Sequence, residues 1–287
     1  MFGAIGRAWR AWRDKSQLLA PMLNHRRDVF FAHDLQFSEL LDVMKADGPR
    51  LLPYQGMASV WNDYGSAFLP AYPAYLVALG RRNGIALRCI MDLACGSGLL
   101  TSRLTKVAAE VVGLDSSESM LAAARKQIGH VPGVDFIQGD FRDFALGRQF
   151  DAVVCASNSL NYVADRGELG QVFAAVAKHL RPGGSFVFDT TSELSMRTLS
   201  GLFLHALRGD RRFAIEYAYD STHKKQTARV ILPTGVETHL RIPLGPSDVT
   251  AAIEGTGLEI KDYFSSALLP RDWGNGYSYF FVLARKC

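Results

Sequence analysis

The segment Asp92-Leu93-Ala94-Cys95-Gly96-Ser97-Gly98 sets one acid beside a pair of glycines. Gly96 and Gly98 let a backbone turn tightly and approach a ligand with no Cβ in the way. Asp92 follows the apolar run 87–91 and stands at its carboxyl end, where open α/β sheets place their ligands. A carboxylate there would repel a pyrophosphate, whereas a cationic amino group and a sulfonium would gain from it. Asp115 lies nineteen residues beyond Gly96 and closes the run Val111-Val112-Gly113-Leu114. An acid about 20 residues past such glycines accepts hydrogen bonds from ribose hydroxyls. Ribose alone does not separate a dinucleotide from another adenosyl ligand, but the third glycine of G-x-G-x-x-G is Thr101 here. Asp140-Phe141 supplies a carboxylate for an adenine amino group and an aromatic ring to pack beside the base.

These residues need strands that end together. Residues 87–91, 111–115, 134–141 and 150–155 read as four strands, and Leu99 onward as the first turns of a helix. Leu180-Arg181-Pro182-Gly183-Gly184 reads as a helix end and turn leading into a fifth strand through Asp189. Residues 192–208, with Leu199, Leu202, Leu204 and Leu207, read as a helix. Three strand-like runs follow at 213–219, 227–232 and 236–242, then a helix at 247–256 and strands at 258–264 and 277–284.

In this order and spacing, 55–287 resembles the class I S-adenosylmethionine-dependent methyltransferases, most closely the glycine N-methyltransferase-like and amino-sugar N-methyltransferases. The resemblance implies an α/β fold: a Rossmann-like, mostly parallel seven-stranded sheet with an antiparallel last strand and helices on both faces. It also implies S-adenosyl-L-methionine as cofactor, with contacts from Tyr64, Asp92, Ala94, Gly96, Gly98, Asp115, Ser116, Met120, Asp140, Phe141 and Asn158. The family's aromatic segment before the glycine turn is matched by Val60-Trp61-Asn62-Asp63-Tyr64, and its asparagine-serine pair after strand four by Asn158-Ser159. Where glycine N-methyltransferases carry an arginine for the substrate carboxylate, this chain has Thr191, which argues against free glycine as acceptor.

Methyl transfer from a sulfonium is an SN2 displacement, so the protein has mainly to align three atoms and exclude water. An amine need only arrive neutral, whereas a phenol or alcohol must lose a proton. The catalytic candidates are Tyr64, Asn158, whose amide could orient a polar acceptor, and His239, a potential base within a strand. Tyr72, Tyr75 and Tyr277, and His205 and His223, fit structural roles better. No H-E-x-x-H or clustered Cys/His spacing occurs, so no metal is expected. The preferred reaction is methylation of a nitrogen on a small molecule. O- or C-methylation of a natural product, an RNA or protein acceptor, and an inactive cofactor-binding partner protein are the alternatives; an NAD-dependent oxidoreductase disagrees with Asp92 and Thr101.

Composition accommodates this. The chain has 287 residues, 48% hydrophobic and 21% charged, enough for a sizeable core. A net charge of +4 without a concentrated basic stripe does not call for nucleic acid. Cys89, Cys95, Cys155 and Cys287 are scattered, as in a reducing, cytoplasmic compartment. Two domains are expected: an N-terminal helical segment over 1–50, and a methyltransferase domain over 51–287 with a substrate-pocket insertion at about 192–245. On a helix Phe2, Ile5, Trp9 and Trp12 share one face, with Arg7, Arg10 and Arg13 beside it. That suits a lid over the site; membrane-surface contact by 1–15 and a transit peptide are the other readings. Oligomeric state is not written in these patterns.

Overall fold

The computed structural model describes residues 49–64, 73, 76–78, 81, 87–208, 211–265 and 278–285. The expected lid over 1–50 falls almost wholly outside them, as do Tyr72, Tyr75, Tyr277 and the side chains of Tyr64 and His205.

Seven strands form the main sheet: β2 (Cys89–Leu93), β3 (Glu110–Asp115), β4 (Val134–Gln138), β5 (Phe150–Cys155), β6 (Leu180–Thr191), β11 (Leu258–Ser265) and β12 (Ser278–Arg285). Their order is β11-β12-β6-β5-β2-β3-β4. Six strands run in one direction, and β12 alone runs opposite, pairing antiparallel with both β6 and β11. β2 and β5 are buried along their whole length, which is why they read as unbroken apolar runs. Alternate residues serve opposite faces. Met91, Leu93, Val153 and Cys155 join one core with Phe173 and Val176. Ile90, Ala152 and Val154 join the other with Leu99, Leu100 and Leu104.

β2 has β3 on one side and β5 on the other, so the connections reverse direction there and open a crevice at the strands' carboxyl ends. The helices used below are α1 (Trp61–Tyr64), α2 (Thr101–Leu104), α3 (Glu118–Ile128), α4 (Arg166–His179), α5 (Glu193–Leu199) and α6 (Pro246–Ala252). Ser117, Asp165 and Ser192 cap α3, α4 and α5 by accepting from backbone amides in the first turn.

A second, five-stranded sheet has the order β1-β10-β9-β8-β7: β1 (Arg50–Leu51), β7 (Phe203–Arg208), β8 (Arg211–Asp220), β9 (Lys225–Leu232) and β10 (Gly235–Arg241). β1 lies parallel to β10, so residues upstream of the glycine turn are built into this sheet. Its inner face sets Phe213, Ile215, Tyr217, Ala228, Val230 and Leu232 against Met57 and Val60.

Two local expectations differ from the structure. The helix read over 192–208 stops at Leu199: Gly201 takes a φ of +78°, and Phe203–Arg208 leaves as β7, paired with β8. The Pro-Gly turn before strand five is a bulge within β6 instead. Phe150 pairs with Leu180 and Ala152 with Ser185, so 181–184 loop out of register, with Gly183 at a φ of +77°.

Candidate active site

The four acids and amides singled out in the sequence stand at neighbouring strand ends. Asp92 is in β2, Asp115 ends β3, Asp140 follows β4 and Asn158 follows β5. Ala94, Gly96 and Gly98 all take positive φ, at 57°, 55° and 77°, and curl the backbone over β2. A Cβ on Gly96 would meet only Trp61 Nε1, at 3.7 Å, whereas one on Gly98 would crowd Ile128 and Ala124 of α3 at 3.0 and 3.1 Å. Gly96 therefore leaves room in front of the turn, and Gly98 lets α3 pack behind it.

Asp115 clamps this turn. Gly96 N–H donates to its Oδ2 at 2.8 Å and Ser117 N–H to its Oδ1 at 2.9 Å. Burial raises its carboxyl above the ordinary range, against the pull of those amides. The roughly four acceptor sites of a carboxylate are not exhausted by these bonds, so ribose hydroxyls can still be taken up. Asp92 is 1% exposed, and Thr101 Oγ1 donates to its Oδ2 at 2.6 Å. Burial pushes Asp92 up to about 7, Thr101 opposes that shift, and Asp115 adds to it. Thr101 stands where a dinucleotide fingerprint would carry its third glycine, and its hydroxyl is what holds this acid.

Asp140 is bound by Arg142 through Nε at 2.8 Å and Nη2 at 2.5 Å, and Arg142 N–H donates to it as well. The guanidinium holds Asp140 below the ordinary carboxylate range, so it stays charged. Arg142 also reaches Glu168 and lies over the ring of the half-buried Phe141. Ser116 is exposed and its carbonyl accepts from Gln138, while Met120 is buried in the first turn of α3.

Ser157 and Asn158 both take positive φ, at 64° and 58°, strain of the kind that gathers at working sites. Asn158 N–H donates to Asp189 Oδ2 at 2.8 Å, and its buried Oδ1 has no hydrogen-bond partner among the described residues. The next turn carries Asn161, fully buried. Asn161 Nδ2 donates to Thr191 O and Ile242 O, and its Oδ1 accepts from Thr191 N–H. It thereby ties the end of β6 to the exit from β10, with Thr191 engaged through its backbone.

His239 of β10 is 2% exposed, and both ring nitrogens have partners: Tyr162 Oη at 3.1 Å from Nδ1, Glu237 Oε2 at 3.0 Å from Nε2. Glu237, wholly buried, also accepts from Tyr54 N–H at 2.9 Å, Met57 N–H at 2.7 Å and Gly56 N–H. Burial would raise its carboxyl, but these donors outweigh that and hold it below the usual glutamate range. Tyr54 Oη donates to Tyr162 Oη at 2.7 Å, and its ring stands edge-on to Trp61. His223 sits exposed in the β8–β9 turn against Asp220, apart from this group.

Sequence reasoning passed over Tyr54, Tyr162 and Glu237, and gave no partner to Thr101 or Asn62. Asn62 accepts from Ser97 Oγ in the glycine turn and donates to Gln127 near the end of α3. Only the alternation Glu237-Thr238-His239, which puts an acid and an imidazole on one strand face, carried a local signal. Among the described residues no group of His, Cys, Asp or Glu is arranged to hold a metal, and no helix is long and apolar enough to cross a membrane. Cys89, Cys95 and Cys155 are free and buried, their thiols pushed up by burial.

Comparison with known proteins agrees with this geometry. The methyltransferase-domain family matches residues 90–184. A dTDP-3-amino-3,4,6-trideoxy-alpha-D-glucopyranose N,N-dimethyltransferase of Streptomyces venezuelae is 43% identical over 35% of this chain and 41% of its own length. A ubiquinone biosynthesis O-methyltransferase of Aromatoleum aromaticum is 32% identical over 51% of this chain and 64% of its own. The matches thus span less than two thirds of either relative. A crystal structure of a S-adenosylmethionine-dependent methyltransferase from Clostridium acetobutylicum superimposes with a TM-score of 0.69 at 19% identity, covering 82% of this chain and 99% of that one. The main sheet has the fold of that structure, and the stretch that matches the methyltransferase-domain family spans β2 to the start of β6.

Proposed function

We propose that this chain is an S-adenosylmethionine-dependent methyltransferase acting on a nitrogen of a small-molecule acceptor, with an amino sugar as the first acceptor to try. The observation that carries the reading is Asp92: a buried carboxylate, fixed by Thr101 beneath a glycine turn, which suits a cationic ligand and not a pyrophosphate. The names of the relatives add the acceptor class.

When bound, S-adenosylmethionine supplies a methyl group already activated by its sulfonium. The chain's residues hold and orient. Asp115 would accept from the ribose hydroxyls, Asp140 and Phe141 would receive the adenine, and Ala94, Gly96, Gly98 and Ser116 would line the backbone cradle, with Met120 buried behind it. Asp92 faces the cationic amino group. Trp61 stands in front of the turn, its Nε1 3.7 Å from a Cβ on Gly96. The buried Oδ1 of Asn158 would accept a hydrogen bond from the acceptor amine and so orient its lone pair. Tyr64 is assigned to the methyl side by its family position alone.

Calorimetry should give micromolar binding of S-adenosylhomocysteine, about −8 kcal/mol, with NAD at least tenfold weaker. Asp115→Ala should lose tenfold or more of that affinity, since each lost charge-assisted bond is worth about 1.5–3 kcal/mol. Labelled methyl transfer to a dTDP-linked 3-amino sugar supports the reading. Tighter binding of NAD overturns the cofactor; transfer only to a phenol moves the reaction to oxygen; binding without any transfer leaves a cofactor-binding protein.

A further inference from the structure

Glu237, His239, Tyr162 and Tyr54 form one unbroken hydrogen-bonded chain of buried or half-buried groups that runs from the second sheet to the wall of the glycine turn. With His239 as a neutral ring, its bonding takes one direction. Glu237 receives Tyr54, Met57 and Gly56 amides, so it is an ionised acceptor and His239 Nε2 carries the hydrogen that faces it. In a neutral ring Nδ1 is then an acceptor, so Tyr162 donates to it. Tyr162 oxygen in turn accepts from Tyr54 Oη. Every proton along the chain points toward Glu237, and the oxygen of Tyr54 is left at the outer end as an acceptor.

The ring that carries this oxygen stands against the wall of the glycine turn. Tyr54 packs edge-on against Trp61 with ring centroids 5.8 Å apart, and Trp61 Nε1 is the nearest atom to a side chain on Gly96. Tyr162 closes the turn that begins at Asn158. We infer that Tyr54, Tyr162, His239 and Glu237 are a proton relay that clears the proton from the methylated acceptor nitrogen. The inference rests on the N-methyltransferase reading above.

The step balances without a co-reactant. As the N–C bond forms and the C–S bond breaks, sulfur keeps the electron pair of the old bond and nitrogen becomes a substituted ammonium. Its N–H bond then breaks heterolytically, the electron pair staying on nitrogen. The proton goes to Tyr54 oxygen while the Tyr54 proton passes to Tyr162 and the Tyr162 proton to His239 Nδ1. The result is an imidazolium against the Glu237 carboxylate, a charge pair in place of a lone buried cation. Reversal after product leaves resets the chain. Tyr54 is the catalytic residue in this scheme; the other three act through it. A second methylation of the same nitrogen needs the first proton gone, so the relay matters most between two transfers.

The test uses the full-length protein, a dTDP-linked 3-amino sugar as probe, and the variants Tyr162→Phe, Tyr54→Phe and His239→Gln. Each phenylalanine removes one oxygen, and glutamine keeps a donor toward Glu237 but cannot take up a proton. The relay predicts kcat at least tenfold lower in all three, with S-adenosylhomocysteine affinity within twofold of wild type. Monomethylated product should accumulate, and the wild-type plateau of rate against pH should give way to a rate that climbs with pH as solvent becomes the proton acceptor. Arg241, Tyr217 and Asp115 also act electrostatically on Tyr54 or Tyr162 and belong to both profiles. Variants that keep wild-type kcat, product ratio and pH profile overturn the relay and leave the methyltransferase reading intact. A wild-type protein that binds S-adenosylhomocysteine and methylates no amine overturns both.

Discussion

Asp92→Asn is expected to make the protein more stable and its cofactor site weaker. Asp92 titrates near 7 in the folded chain because it is buried, whereas an exposed aspartate titrates near about 3.9. Above pH 7 it is ionised in both states, and folding bears the full cost of burying the charge. Between pH 7 and about 4 the unfolded chain is ionised while the folded one holds a proton, so stability rises as pH falls. Below that window both are protonated and the cost is gone. Three units correspond to about 4 kcal/mol at most. Urea midpoints should therefore be higher for Asp92→Asn than for wild type at pH 8, and the two should converge near pH 4. The same substitution removes the charge facing the ligand's amino group, so S-adenosylhomocysteine affinity should fall ten- to hundredfold, about 1.5–3 kcal/mol. Equal midpoints at pH 8 would place the Asp92 charge somewhere well solvated. Equal affinity would leave the cationic ligand without its partner.

The acids at the strand ends could be read from sequence because each sits at a fixed distance from a glycine turn and closes an apolar run. β3, β5 and the 258–265 and 278–285 hairpin were legible for the same local reason: their apolar runs are short, continuous and bounded by turn residues. The region after β6 was harder. Leucines at 199, 202, 204 and 207 satisfy a helical spacing, but Gly201 at positive φ breaks the helix and the remainder pairs as β7. The second sheet's hold on the site was not legible at all. Glu237 reaches the amides of Tyr54, Gly56 and Met57 across about 180 residues of chain, and nothing in local periodicity reports such a pairing. Thr101 shows the reverse case. Its departure from the dinucleotide glycine was visible in the sequence, but its bond to Asp92 emerges only when β2 and α2 are brought together.

Glu237→Ala should be strongly destabilising. It strands the buried Met57 amide and the Nε2 hydrogen of His239, and the half-buried amides of Tyr54 and Gly56, and removing one partner from a buried charged network typically costs about 3–5 kcal/mol. Those amides belong to the turn that carries Tyr54 against Trp61, so the wall in front of Gly96 should loosen as well. Glu237→Gln keeps one carbonyl acceptor and should lose less. The pH dependence has the opposite sign from that of Asp92. A glutamate held below its usual range stabilises the fold above about pH 4.3, and that stability is lost as pH falls through the lower folded value. Wild-type urea midpoints should accordingly climb from pH 8 towards about 4 as Asp92 takes its proton, then fall as Glu237 takes one. Asp92→Asn should flatten the first limb and Glu237→Gln the second. An acid limb that survives in Glu237→Gln would assign the low-pH loss to other carboxylates and remove Glu237 as the anchor of the Tyr54 turn.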